Sequence, residues 1–189
     1  MFFEEHAKLL ADFARVSQAA GARADYVQGG GGNTSVKLPG GLMAIKASGF
    51  CLSDIHPDQA YAVLDGADLR NFYLTTEPSE LADVEKEGSA RAKADVRHID
   101  GLADLRPSVE AGFHSILKTF VVHTHSVYAN LAACSTACRP IAAQAFAGAN
   151  YTWGWVPYTD PGANLTFAIR DELRRVEAET GKVPSVILM

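Results

Sequence analysis

Apolar positions along the chain set out its elements. From Phe2 to about Ala22, Phe3, Leu9, Leu10, Phe13 and Val16 fall between charged residues at nearly helical spacing, with Gly21 as the stop. This predicts an opening helix that covers a sheet face and carries no chemistry. The period then shortens. Thr34 to Leu38 alternates like a strand, Pro39, Gly40 and Gly41 make a turn, and Leu42 to Lys46 is a strand paired back on the first. Asp54 to Asp58 reads as a turn before a short strand at Tyr61 to Leu64. Between Gly66 and Leu105 the apolar pattern gives way to Glu80, Asp83, Glu85, Lys86, Glu87, Arg91, Lys93, Asp95 and Arg97. That segment predicts a helical, solvated excursion with His98 as a surface histidine; a lid over the site is the lesser alternative.

The second half begins with a predicted helix from Ser108 to Lys118, with Ser108 as its N-cap and Glu110 in the first turn, where the helix dipole favours an anion. Val121 to Val127 reads as a buried strand, because β-branched residues flank its polar positions. Gln144 to Asp160 holds Phe146, Tyr151, Trp153, Trp155 and Tyr158 and predicts a strand and a loop that ends at Pro161 and Gly162. Asn164 is placed to cap a helix running to Glu179, with Phe167, Ile169, Leu173 and Val176 inward and Gly181 as its stop. Val183 to Met189 is an apolar strand, and a chain ending inside a buried strand is expected to be incomplete there.

A length of 189 residues suits one domain, spanning 1–189, and an apolar content of 48% argues against disorder. The formal charge of −5 leaves no basic footprint for nucleic acid. No apolar run reaches the roughly 18 residues that span a bilayer, and the acidic start differs from a signal peptide. Cys51, Cys134 and Cys138 form neither an even set nor a metal-binding pair, which fits buried free thiols in a cytoplasmic protein.

Two features carry chemistry. His123 and His125 are two apart, so on a strand they point to the same side. Two imidazoles on a rigid strand make half of a divalent metal site, each reaching the ion at about 2.0–2.1 Å; two hydrogen-bonded histidines are the plain alternative. Glu110 nearby would supply the carboxylate that metal-assisted proton abstraction needs. The other feature is the run Gly29 to Gly32, followed by Asn33, Thr34 and Ser35. No helix opens after these glycines and no Gly-Lys-Ser/Thr ends the loop, so neither a dinucleotide fingerprint nor a P-loop is present. What remains is a loop of N–H groups with Asn33 and Ser35 at its edge, fit for an anion or a sugar hydroxyl, or else a flexible hairpin turn. Ala47, Ser48 and Gly49 form a comparable loop at the next strand end, with Lys46 as a countercharge. Two such loops on adjacent strands favour a phosphate-sized site.

Gly32 to Ser35, Lys46 to Gly49, Pro107 to Glu110 and His123 to His125, in this order, resemble the class II aldolase and adducin head-domain family, which includes the fuculose-phosphate and rhamnulose-phosphate aldolases. The resemblance implies a three-layer α/β/α fold around a mostly antiparallel sheet, and a cyclic homotetramer with sites between subunits. It implies Zn2+ or another divalent metal on His123 and His125, Glu110 as the proton carrier, and Gly32, Asn33, Ser48, Gly49 and Ser108 around the substrate phosphate. Val109 stands where the family often has a second serine, and the segment from Gly49 to Ser108 is longer than in the small sugar-phosphate aldolases. The family's third zinc histidine follows the strand that here is Val183 to Met189, so two histidines alone imply weak metal affinity and an inactive chain. No residue matches the tyrosine proton donor of some members; Tyr151 and Tyr128 are the nearest choices. His114, one helical turn after Glu110, has the spacing to orient that carboxylate, and the family does not use it as a ligand.

The expected activity is reversible aldol cleavage of a ketose or ketose phosphate through a zinc-stabilised enediolate. A same-fold epimerase or dehydratase is the first alternative. A non-catalytic adducin-like or truncated module is the second, and it would not need Glu110, His123 and His125 together.

Overall fold

A computed structural model of the chain describes residues 1–189. A long helix, α1 (Phe2–Gly21), precedes a meander of β1 (Asn33–Lys37), β2 (Leu42–Lys46) and β3 (Tyr61–Asp65). Next come α2 (Gly66–Thr75), α3 (Val84–Ala94), β4 (Val96–Arg97), α4 (Ala111–Ile116) and β5 (Phe120–His123). The chain finishes through α5 (Val127–Ala133), α6 (Cys138–Ala145), β6 (Trp153–Trp155), α7 (Ala163–Thr180) and β7 (Val186–Leu188). The strands β4-β3-β2-β1-β5 form one sheet whose neighbours all run antiparallel. A separate parallel pair joins β6 to β7.

Strand alternation divides the core in two. Val36, Ala44, Tyr61 and Val63 face α1, where they meet Leu10 and Phe13. The Phe13 and Tyr61 rings meet edge-on at 5.7 Å. The opposite parity sends Met43, Ile45, Ala62 and Leu64 to Leu69 and Tyr73 of α2, Phe113 and Ile116 of α4, and Phe167 and Ile169 of α7. The result is the three-layer α/β/α arrangement around an antiparallel sheet that the resemblance implies. Each fully buried leucine or phenylalanine contributes about 1.5–3 kcal/mol, so both layers are held firmly to the sheet.

Several boundaries and three environments differ from the sequence reading. The helix expected from Ser108 covers only Ala111–Ile116, and Glu110 itself sits at the N-cap. Ser108 is thus not the cap; its Oγ accepts from the Glu110 N–H at 3.3 Å. The charged segment is less solvated than its composition suggests. Gly88 of α3 is buried, and a Cβ there would lie 2.5 Å from the Cβ of Ala163. Glu85 reaches α7, accepting from the N–H groups of Ala163 and Asn164 at 2.8 Å each, so the α7 cap comes from α3 and not from Asn164. The C-terminal strand is shorter and only half-buried. Of the three free cysteines only Cys138 is buried; Cys134 is exposed and Cys51 half-buried. No helix is long and apolar enough to cross a membrane.

Candidate active site

The register of β1 and β5 assembles the site. Asn33 pairs directly with His123, and Ser35 with Val121. Paired residues share a face, so Asn33, Ser35 and His123 all look toward the α4 side of the sheet. Glu110, at the head of α4, comes down onto them. Its Oε2 lies 3.2 Å from His123 Nδ1, with the two side chains only 14% and 12% exposed. Asn33 is buried beside the same carboxylate. Burial pushes the Glu110 carboxyl up, but His123, Asn33 and the charge of His125 outweigh that push and hold it below the ordinary glutamate value. The group is therefore ionised at neutral pH and able to accept a proton.

His125 lies past the end of β5, which stops at His123, so the two imidazoles do not project from one strand as expected. They still converge, with ring centroids 5.0 Å apart and planes tilted by 56°. Burial and the neighbouring His123 lower the His125 pKa, against the opposing pull of Glu110. One donor group includes a residue outside the expected pair and leaves out His125: ligand atoms of Glu110, His114 and His123 all lie within 4.8 Å of one another.

The glycine loop closes one side. A Cβ on Gly31 would stand 3.1 Å from His125 Nδ1. Gly32 has φ +72°, and a Cβ there would come within 2.8 Å of the His123 carbonyl oxygen and 2.7 Å of Val27 Cγ1. Gly32→Ala is therefore expected to destabilise the protein by about 2–4 kcal/mol, from left-handed backbone strain and overpacking together. Urea denaturation checks this; a loss under 0.5 kcal/mol (on the order of an ordinary surface change) would show that the loop is not seated on β5.

Lys46, 4% exposed, holds the two loops together by donating to the carbonyls of Phe50 at 2.8 Å and Gly30 at 3.4 Å. The N–H groups of Gly29, Gly30 and Gly49 donate to no acceptor within the protein. Ser48 is committed elsewhere, its N–H to the Arg106 carbonyl at 2.9 Å and its Oγ to that of Pro107 at 3.2 Å. That pairing joins the Ser48–Gly49 loop to the segment that carries Ser108 and Glu110. Gly49, Ser48 and Ser108 therefore lie together, while Gly32 and Asn33 approach from β1. His98, by contrast, is exposed, bound to Asp104 and remote from this chemistry.

Sequence reasoning missed Ser35 in this setting. The signal was the parity of β1, which puts Asn33, Ser35 and Lys37 on one face.

Fold and site together define a class: a helix-flanked antiparallel sheet with a carboxylate and imidazoles gathered beside glycine-rich loops, as in class II aldolase-type domains. The Class II Aldolase and Adducin N-terminal domain family matches residues 11–189, and the chain belongs to that family. The N-terminal class II aldolase domain of a conserved protein from Thermoplasma acidophilum superposes with a TM-score of 0.72 at 20% identity, over 94% of this chain and 78% of that one. YgbL from Escherichia coli, described as a candidate aldolase/epimerase/decarboxylase, gives a TM-score of 0.56 at 19% identity over 96% and 73%. Its Klebsiella pneumoniae counterpart gives 0.54 at 18% over 97% and 74%. No curated protein matches the chain.

Proposed function

We propose that this protein is a metal-dependent aldehyde-lyase that reversibly cleaves a ketose or ketose phosphate. The observation that carries the reading is the meeting of an ionised, nearly buried Glu110 with His123, whose Nδ1 is buried and makes no hydrogen bond. A nitrogen and carboxylate donor set of this kind suits Zn2+ or another first-row divalent ion. His123 and His125 would hold it beside the Glu110 carboxylate, and such an ion supplies Lewis-acid polarisation of a substrate carbonyl.

The chain's own residues account for the rest. As the carbon–carbon bond breaks, Glu110 takes the proton of the hydroxyl that becomes the aldehyde. It then returns that proton to the carbon left with the electron pair, so no proton is gained or lost over the cycle. The free N–H groups of Gly29, Gly30 and Gly49, backed by the Lys46 ammonium, would seat the anionic end of the substrate and fix the reacting atoms. Lys46→Met is expected to raise KM for a ketose phosphate by about tenfold, in line with a charge-assisted contact, and to leave an unphosphorylated ketose nearly unaffected. Equal effects on both substrates would remove the phosphate from the reading.

Retro-aldol turnover on a small set of ketose phosphates, with chiral analysis of products, tests the proposal and separates it from epimerisation, the reading that the YgbL descriptions also support.

Self-association belongs to the same proposal. Just after the His125 loop, α5 exposes Val127, Tyr128 and Leu131 at 51%, 75% and 74%, an apolar stripe suited to a second copy of the chain. Light scattering is expected to give a mass of about four chains, a closed symmetric assembly. A monomer at assay concentration would contradict this.

A further inference from the structure

His114 is buried with a free polar atom. Its ring is 0% exposed, and its Nδ1 lies 2.8 Å from Ser35 Oγ. The His114 carbonyl accepts from Lys37 Nζ, so β1 grips the residue at both backbone and ring. Nε2, however, is buried and has no partner. A histidine kept only for packing gives no reason for that atom, because an apolar ring fills such a space without leaving a polar group unsatisfied. His114 lies one turn past Glu110, the N-cap of α4, and ligand atoms of the two side chains lie within 4.8 Å of each other.

We infer that His114 is a positioning residue that gives the Glu110 carboxylate a second seat, across from the one at His123. The inference rests on the proposed role of Glu110. In the structure the carboxylate is seated at His123, 3.2 Å from Nδ1, while His114 belongs to the same 4.8 Å cluster. Assigning the Ser35 hydroxyl, 2.8 Å away, as the donor to Nδ1 puts the His114 proton on Nε2, and the ring then offers a neutral donor. A His123 nitrogen that holds a cation cannot also hold a proton for Glu110. Rotation of the glutamate side chain toward Nε2–H then gives the carboxylate a charge-assisted hydrogen bond. Ser35 fixes which way His114 faces, and His114 fixes where Glu110 waits between proton transfers.

The test is NMR on the full chain with 15N-labelled histidine, titrated with Zn2+. The expected result is a His114 Nε2 resonance that keeps its proton throughout, shifts on Zn2+ addition in the unmodified protein and does not shift in Glu110→Ala. Loss of the Nε2 proton on Zn2+ addition would make His114 a ligand and overturn the inference. A zinc-bound protein with no His114 shift would overturn it as well. Absence of Zn2+ binding would instead overturn the metal reading, and the second seat with it.

Two variants give an independent readout. His114→Gln keeps a donor at the reach of Nε2 and is expected to retain most of kcat. His114→Asn keeps only the Ser35 contact and should lose about 10–100-fold in kcat with little change in KM or in zinc affinity. Equal losses in both variants would mark a packing role.

Discussion

Replacing Glu110 with glutamine is expected to lower turnover by about two to four orders of magnitude, the usual contribution of a positioned acid–base group. The amide has the shape of the carboxylate and cannot carry the proton. Little else should change, because Glu110 makes no side-chain capping bond to α4 and accepts no hydrogen bond from an N–H of the main chain. Urea denaturation should therefore place Glu110→Gln within about 1 kcal/mol of the parent protein, since its one ion pair is the contact with His123. The pH profile carries a second expectation. A carboxyl held below the ordinary glutamate value stays ionised as pH falls toward 5, so activity lost through this group is lost only below the usual carboxylate range. Unchanged turnover in Glu110→Gln would show that another group moves the proton.

The second large effect is expected at His123. His123→Asn removes the ring whose Nδ1 is buried, unbonded and 3.2 Å from Glu110. Zinc affinity should fall by more than the roughly 10–100-fold typical of losing an outer partner. His98→Ala is the matched control, since that imidazole is exposed and tied to Asp104. Competition with a chromophoric chelator measures both. Equal affinities in the His123 variant and the His98 control would move the metal elsewhere.

Much of this was legible in the residues. Periodicity placed α1, the β1–β2 hairpin and β3 to within a residue or two, because each has one buried face and one consistent period. Glu110 and His123 were legible together from the residues, and Asn33 joined them only through motif resemblance. The contact that brings them together is the pairing of Asn33 with His123 across about ninety residues of chain, which no local pattern encodes. Helix α4 was misjudged because Ser108 looks like a cap, whereas Pro107 is held in an isolated bridge to Ala47 and the cap falls two residues later, at Glu110. The charged stretch misled for another reason. Glu85 and Gly88 read as surface residues, and only the packing of α3 against the start of α7 shows that one caps a helix and the other admits a close approach. Exposed Val127, Tyr128 and Leu131 had no sequence signal at all, since apolar residues on a short helix normally mean core.

Glu110 and the imidazoles beside it are proposed to perform metal-assisted carbon–carbon cleavage. Release of aldehyde from a panel of ketose phosphates by the zinc-loaded protein tests it most directly, with a chelated sample run in parallel. The expected result is aldehyde from at least one panel member, none after chelation and recovery when Zn2+ is returned. Aldehyde release that persists undiminished in the chelated sample, or a zinc-loaded protein that leaves every ketose phosphate intact, would contradict it.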